Sequence, residues 1–260
     1  IGHSALIVST GCRNTVVGSC ALKANTTGTH NVASGFTSMF ANTEGIKNTA
    51  YGYASLGANQ TGDENVAIGC GALGGNTTAN NNTAVGVNSL KGNTTGTPNV
   101  ALGSNALCAN TTGTNNVALG RSALKVNTTS SSNTAIGSFS LATNTGSNNT
   151  AVGRESLYSN TTGASNVALG FEALKANTTA DNNISIGHQS GLTTTTGTRN
   201  IGIGRGTLYT NNTNDNVAIG HTSQLYTSSG ANNTSVGSCA LQNNTTGANN
   251  TALGKDALIA

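Results

Sequence analysis

Charge is what this chain has least of. Lys, Arg, Asp and Glu together make up 7% of the residues, where about 25% is usual, so its surface has to be wetted by hydroxyls and amides. Tryptophan is absent, proline occurs once, and aromatics reach 3%, which leaves little for a large conventional core. The net charge of +3 comes from singly scattered residues. With no basic stripe, a nucleic-acid partner is not expected. The five cysteines, Cys12, Cys20, Cys70, Cys108 and Cys239, are an odd number in a long chain and do not describe a disulfide framework; they read as incidental small residues. No apolar run approaches the roughly 18 residues of a membrane span, so no membrane insertion is expected within the segment, and no start resembles a signal peptide. The chain opens on Ile-Gly and closes on Ala-Leu-Ile-Ala, both in mid-repeat, and reads as a fragment of a longer protein.

What is present is one sentence repeated. Glycines after an aliphatic-type residue recur from Gly2 to Gly254, sixteen in all, with twelve gaps of seventeen residues and three of sixteen. A unit reads G-x-x-[AS]-L-x-x-N-T-T-G-x-x-N-[TV]-A-[VIL]. Four residues before each glycine from Gly18 onward stands Asn, and four after it stands Leu, with Met39 once and a one-residue delay at Leu192 and Leu225.

So short a unit, rich in Gly, Asn and Thr, is too poor in helix formers for a helix pair. N-[TV]-A-[VIL]-G alternates as a strand does, Ala-Leu is expected to start a second short strand, and NTTG has turn chemistry, with a glycine able to take positive φ. The period predicts an all-β fold: a parallel β-solenoid of about sixteen coils, residues 1–260 forming a single continuous array, with coils about 4.8 Å apart. The Leu column, the aliphatic before the glycine and the Thr or Val are expected inside. The repeat glycine marks a corner that needs positive φ or close backbone approach. The short gaps fall at Ser9-Thr10-Gly11, at Asn144-Thr145-Gly146 and after Asn214, beside the turn, where a solenoid tolerates deletion.

Identical residues stacked on their own copies predict an amide ladder at Asn82, Asn99, Asn116, Asn133, Asn149 and Asn166. The small-residue column that includes Ala84, Ala101, Ala118, Ala135 and Ala151 is expected to face outward. There it would serve as the contact of a parallel oligomer, because small side chains permit close approach.

At N-[TV]-A-[VIL]-G the chain resembles the head repeats of the YadA-like trimeric autotransporter adhesins. The fuller unit, as in NNTAVGRESLYSNTTG from Asn148 to Gly163, is similar to the Asn/Thr-rich repeats of bacterial surface proteins and of chaperone-terminated tail-fibre proteins. The resemblance implies a left-handed β-roll, a parallel homotrimer, and an extracellular place on a cell surface or virion fibre. The period of seventeen is longer than the adhesin heads favour.

Chemistry is not legible. His3, His188 and His221 follow repeat glycines in distant coils and His30 lies elsewhere, so no metal site is expected. The acidic residues are read as never recurring in a column, leaving paired-carboxylate hydrolysis without a scaffold. The chain is expected to be no enzyme and to need no cofactor.

What recurs outward is NTT. Asn-x-Thr sequons at Asn25, Asn59, Asn76, Asn93, Asn110, Asn127, Asn160, Asn177, Asn211 and Asn244 would carry a glycan row in a secreted glycoprotein. Aromatics after the glycine (Phe36, Tyr53, Phe171) and after the Leu (Phe40, Tyr158, Tyr209) could stack on surface glycans. The functional expectation is a structural fibre segment acting by multivalent contact. The alternatives are a glycosylated matrix fibre protein and an ice-binding solenoid, the latter presenting a Thr row such as Thr78, Thr95, Thr112 and Thr129.

Overall fold

The structure, a computed structural model, describes residues 2–259. The fold is all-β, a parallel β-solenoid with no helix among the described residues. The chain divides into two compact units, Ile1–Ser132 and Asn133–Ala260, both built from the same coil. The first unit holds β1 (Thr15–Val17), β2 (Val32–Ser34), β3 (Thr49–Tyr51), β4 (Val66–Ile68), β5 (Thr83–Val85), β6 (Asn99–Leu102) and β7 (Asn116–Leu119). The second holds β8 (Thr134–Ile136), β9 (Thr150–Val152), β10 (Val167–Leu169), β11 (Ile184–Ile186), β12 (Ile201–Ile203), β13 (Val217–Ile219), β14 (Thr234–Val236) and β15 (Thr251–Leu253).

Within each unit, every strand ends just before a repeat glycine and pairs in parallel with its neighbour in the chain, residue for residue. Thr83, Ala84 and Val85 lie beside Val100, Ala101 and Leu102. Parallel neighbours need a crossover of a dozen or more residues, and the rest of each seventeen-residue period supplies it as turns. Gly2 has no described strand before it, so sixteen glycines correspond to fifteen strands. The glycine is obligatory for two reasons. At Gly86 φ is 131°, and a Cβ there would stand 2.7 Å from the backbone carbonyl carbon of Gly103 in the next coil.

The expected second strand does not form. Residues after the glycine make a tight turn in which the second and fourth positions take left-handed backbone, as at Cys20 (φ 55°) and Leu22 (φ 50°). A left-handed residue costs on the order of 1–2 kcal/mol, and full burial of the Leu side chain, about 1.5–3 kcal/mol, offsets it. At the two coils with a delayed Leu, the core position is filled by Gly191 and Gln224, both buried, while Leu192 and Leu225 are only half-buried. Gly191 (φ 63°) adopts this conformation without a Cβ, and a Cβ there would stand 2.8 Å from Leu174 Cδ2. Nor does the NTTG glycine take positive φ: among the described residues the positive-φ glycines lie elsewhere.

The two strand faces are inverted relative to expectation. Ala84, Ala101, Ala118, Ala135 and Ala151 are fully buried, so this column lines the interior and is no oligomer contact. The aliphatic residues before the glycine point out, with Ile68 40%, Leu102 38% and Ile136 38% exposed. The reason is space. A Cβ added to Gly202, which stands in the Ala column, would lie 2.8 Å from Ser190 Oγ, 2.9 Å from Thr207 Oγ1 and 3.4 Å from Leu208 Cδ1. The coil is so thin that one Leu from the turn fills it, and the facing strand position can hold only Ala, Ser or Gly.

Candidate functional site

Three ladders of polar side chains run through the coils. In the first, the Oδ1 of each Asn four before the glycine accepts the backbone N–H of its successor, as from Asn99 to Asn82 (2.9 Å), Asn116 to Asn99 (3.0 Å), Asn149 to Asn133 (3.0 Å) and Asn166 to Asn149 (3.0 Å). Its Nδ2 reaches forward to the next NTTG turn, Asn82 donating to the Gly96 carbonyl at 3.0 Å. These six asparagines hold the structural place expected of them.

The second ladder overturns the glycan row. Asn25, Asn59, Asn76, Asn93, Asn110, Asn127, Asn160, Asn177 and Asn211 are fully buried, and Asn244 is half-buried. Asn93 Nδ2 donates to Asn76 Oδ1 at 3.0 Å and to the Gly96 carbonyl at 3.0 Å, so that carbonyl ties the two ladders together. An N-linked sugar would occupy the nitrogen that makes these bonds, and it would do so in the interior. The sequon pattern is therefore a structural device. Its Oδ1–Nδ2 chain satisfies polar groups that would otherwise be buried unpaired.

In the third, the first Thr of NTT donates its hydroxyl to the next coil's backbone, Thr94 to the Thr111 carbonyl and Thr111 to the Thr128 carbonyl, both at 3.0 Å. The second Thr, at Thr78, Thr95, Thr112 and Thr129, is exposed at the turn tip.

The ladder runs on from the shortened turn at Asn144 into the next coil. Asn144 donates to the Gly146 carbonyl two residues on at 2.7 Å and still accepts from Asn160 at 2.6 Å. The third deletion falls before Asn214 and not after it. Asn211 reaches the Thr213 carbonyl at 3.2 Å, and Asn214 Oδ1 accepts from the Thr198 backbone at 2.8 Å, as Asp181 does from Ala164 at 2.7 Å.

The outer surface carries one concentrated cluster, in the second unit. Phe139, Glu155, Glu172 and Gln189 occupy the second position after successive repeat glycines and take left-handed backbone. This corrects the reading that acidic residues never share a column: Glu155 and Glu172 do. Both stand two residues after the repeat glycine and two before its Leu, a spacing legible in the sequence. Lys175 Nζ bridges the two carboxylates, at 2.8 Å from Glu155 Oε2 and 2.6 Å from Glu172 Oε1. Arg154 contacts Glu155 Oε1 at 2.6 Å, and Gln189 donates to Glu172 Oε2 at 2.9 Å.

The Lys175 ammonium, and then Arg154, hold the Glu155 carboxyl below its ordinary range; Lys175 and Gln189 do the same for Glu172. Both carboxylates in turn raise Lys175, Glu155 the more strongly. A glycosidase needs one carboxyl kept protonated near neutrality, and this pair is driven the other way.

Aromatic rings frame the cluster. Phe139 and Tyr158 meet edge to face with centroids 6.4 Å apart, Phe171 stacks on His188 at 5.3 Å, and Arg154 lies over Phe171 at 5.6 Å. Phe139, Glu155, Tyr158 and Lys175 line a cavity of about 310 Å³. Of the other aromatics, Phe36 and Tyr53 stack on each other at 5.8 Å.

His3, His30, His188 and His221 are exposed, and no group of three or more metal-binding side chains occurs among the described residues. Cys12 and Cys70 are exposed, the other three cysteines are half-buried, and all are free thiols. No helix is long and apolar enough to cross a membrane among the described residues. Comparison of the chain with protein-family models, curated proteins and solved structures finds no match.

Proposed function

We propose that this chain is a structural segment of an extracellular fibre, on a cell surface or a virion, that works by many identical weak contacts and self-associates in parallel, as the trimer of the adhesin resemblance would. The observation that carries the reading is the outward strand face. In every coil but those of Ser34 and Tyr51 it presents an aliphatic before the glycine and, two residues earlier, a Thr, Val or Ile, so that Ile184, Ile186, Ile201 and Ile203 stand in paired register. Monomeric soluble proteins rarely expose a contiguous apolar strip of this kind, and a regular array turns a small affinity per coil into avidity. The contact surface proposed is this aliphatic face, in place of the Ala column.

Sedimentation equilibrium and light scattering at micromolar concentration test it. A discrete oligomer that dissociates when Ile186 and Ile203 are replaced by Lys supports the reading. A wild-type chain that stays monomeric removes it. The exposed second Thr of each turn supports ice binding as a second reading, and thermal hysteresis of the purified chain decides that one.

A further inference from the structure

The Phe139–Lys175 cavity has the features of a binding site for a neutral saccharide. Its volume of about 310 Å³ lies at the low end of the roughly 300–1,000 Å³ typical of small-molecule sites, a size suited to one or two sugar rings. It sits where a chain with little charge and few rings concentrates both. Arg154, Glu155, Glu172 and Lys175, with Phe139, Tyr158, Phe171 and His188, fall within four successive coils.

The chemistry selects the ligand class. Two carboxylates and two cations cancel, and each is engaged with a partner. An anion would face Glu155, and a cation would face Lys175 and Arg154. A hydroxyl avoids both penalties, because it can accept from the ammonium and donate to a carboxylate oxygen that still has a lone pair. The apolar C–H face of a pyranose matches the Tyr158 and Phe139 rings.

The groups are also held in place. The Glu155 side chain is 14% exposed and bonded at both oxygens, so little ordering is left for binding to impose. We infer that Phe139, Glu155, Tyr158 and Lys175 form a discrete site for a neutral pyranose oligosaccharide, independent of whether the chain assembles into a fibre.

Saturation-transfer NMR and calorimetry on the full chain, with cellotriose, maltotriose and N,N′,N″-triacetylchitotriose as probes and 3′-sialyllactose as the anionic comparison, test the inference. A neutral probe should bind with a Kd on the order of 1 mM and better than the anionic one. Tyr158→Ala should weaken it by about tenfold. Tyr226→Ala, an exposed ring away from the glutamate pair, should leave it unchanged. Glu155→Gln, which keeps the side-chain shape, should also weaken it, and serves where Tyr158→Ala misfolds by circular dichroism. The inference is overturned if no neutral probe binds at about 20 mM, if Tyr158→Ala and Glu155→Gln both bind as wild type, or if the anionic probe binds best.

Discussion

Asn177 and Thr194 occupy the same place in successive coils, and among the described residues the buried Oδ1 of Asn177 has no hydrogen-bond partner where Thr194 stands. In most coils that place holds an Asn whose Nδ2 closes the rung, as Asn177 itself does onto Asn160 at 2.7 Å, while Ser9 and Thr227 stand there in two others. Thr194→Asn should restore the bond and raise stability by about 1 kcal/mol. Urea unfolding measures it, and an unchanged or lower midpoint would mean that the ladder does not stabilise the coil.

Gln224 is the polar occupant of the Leu column. Its Nε2 donates to the Val217 carbonyl and to Ser235 Oγ, each at 2.9 Å, but its buried Oε1 has no partner among the described residues. Gln224→Leu should restore the repeat's own packing and remove the unmet acceptor, stabilising by about 1–3 kcal/mol. A lower melting temperature would show that the two donor bonds outweigh both gains.

The inverted faces separate two neighbouring substitutions. Ala101 is fully buried and Leu102 is 38% exposed. Ala101→Glu should abolish the strand signal in far-UV circular dichroism, since a carboxylate would have to enter a space that admits only a methyl group. Leu102→Glu should leave the fold intact. Equal tolerance of both would contradict the assignment of the interior.

Acid should loosen the Glu155–Lys175 cluster. Lys175, and then Arg154, hold the Glu155 carboxyl below its ordinary 4.5, so the folded chain binds fewer protons there than the unfolded one. The resulting stability is complete above the ordinary glutamate range and is lost as pH falls through the lowered value. Melting temperature should therefore fall below about pH 4.5 less steeply in Glu155→Gln than in the wild type. Parallel curves would show that the ion pairs contribute nothing measurable.

The sequence by itself determined the period, the parallel solenoid, the glycine corner, the turn-confined deletions and the first Asn ladder. All of these depend only on a residue recurring above its own copy. Alternation likewise divided each strand into two faces. Which face was inside depended on the width of the coil, and that is set by how the turn after the glycine closes. Its left-handed residues at Cys20 and Leu22 carry the Leu across beneath the strand, leaving room for Ala84 and not for Val85. The same closure took the NTT asparagines from an apparent surface row into the core. It also gathered Glu155 and Glu172 around Lys175, a meeting decided by the stacking of one coil on the next.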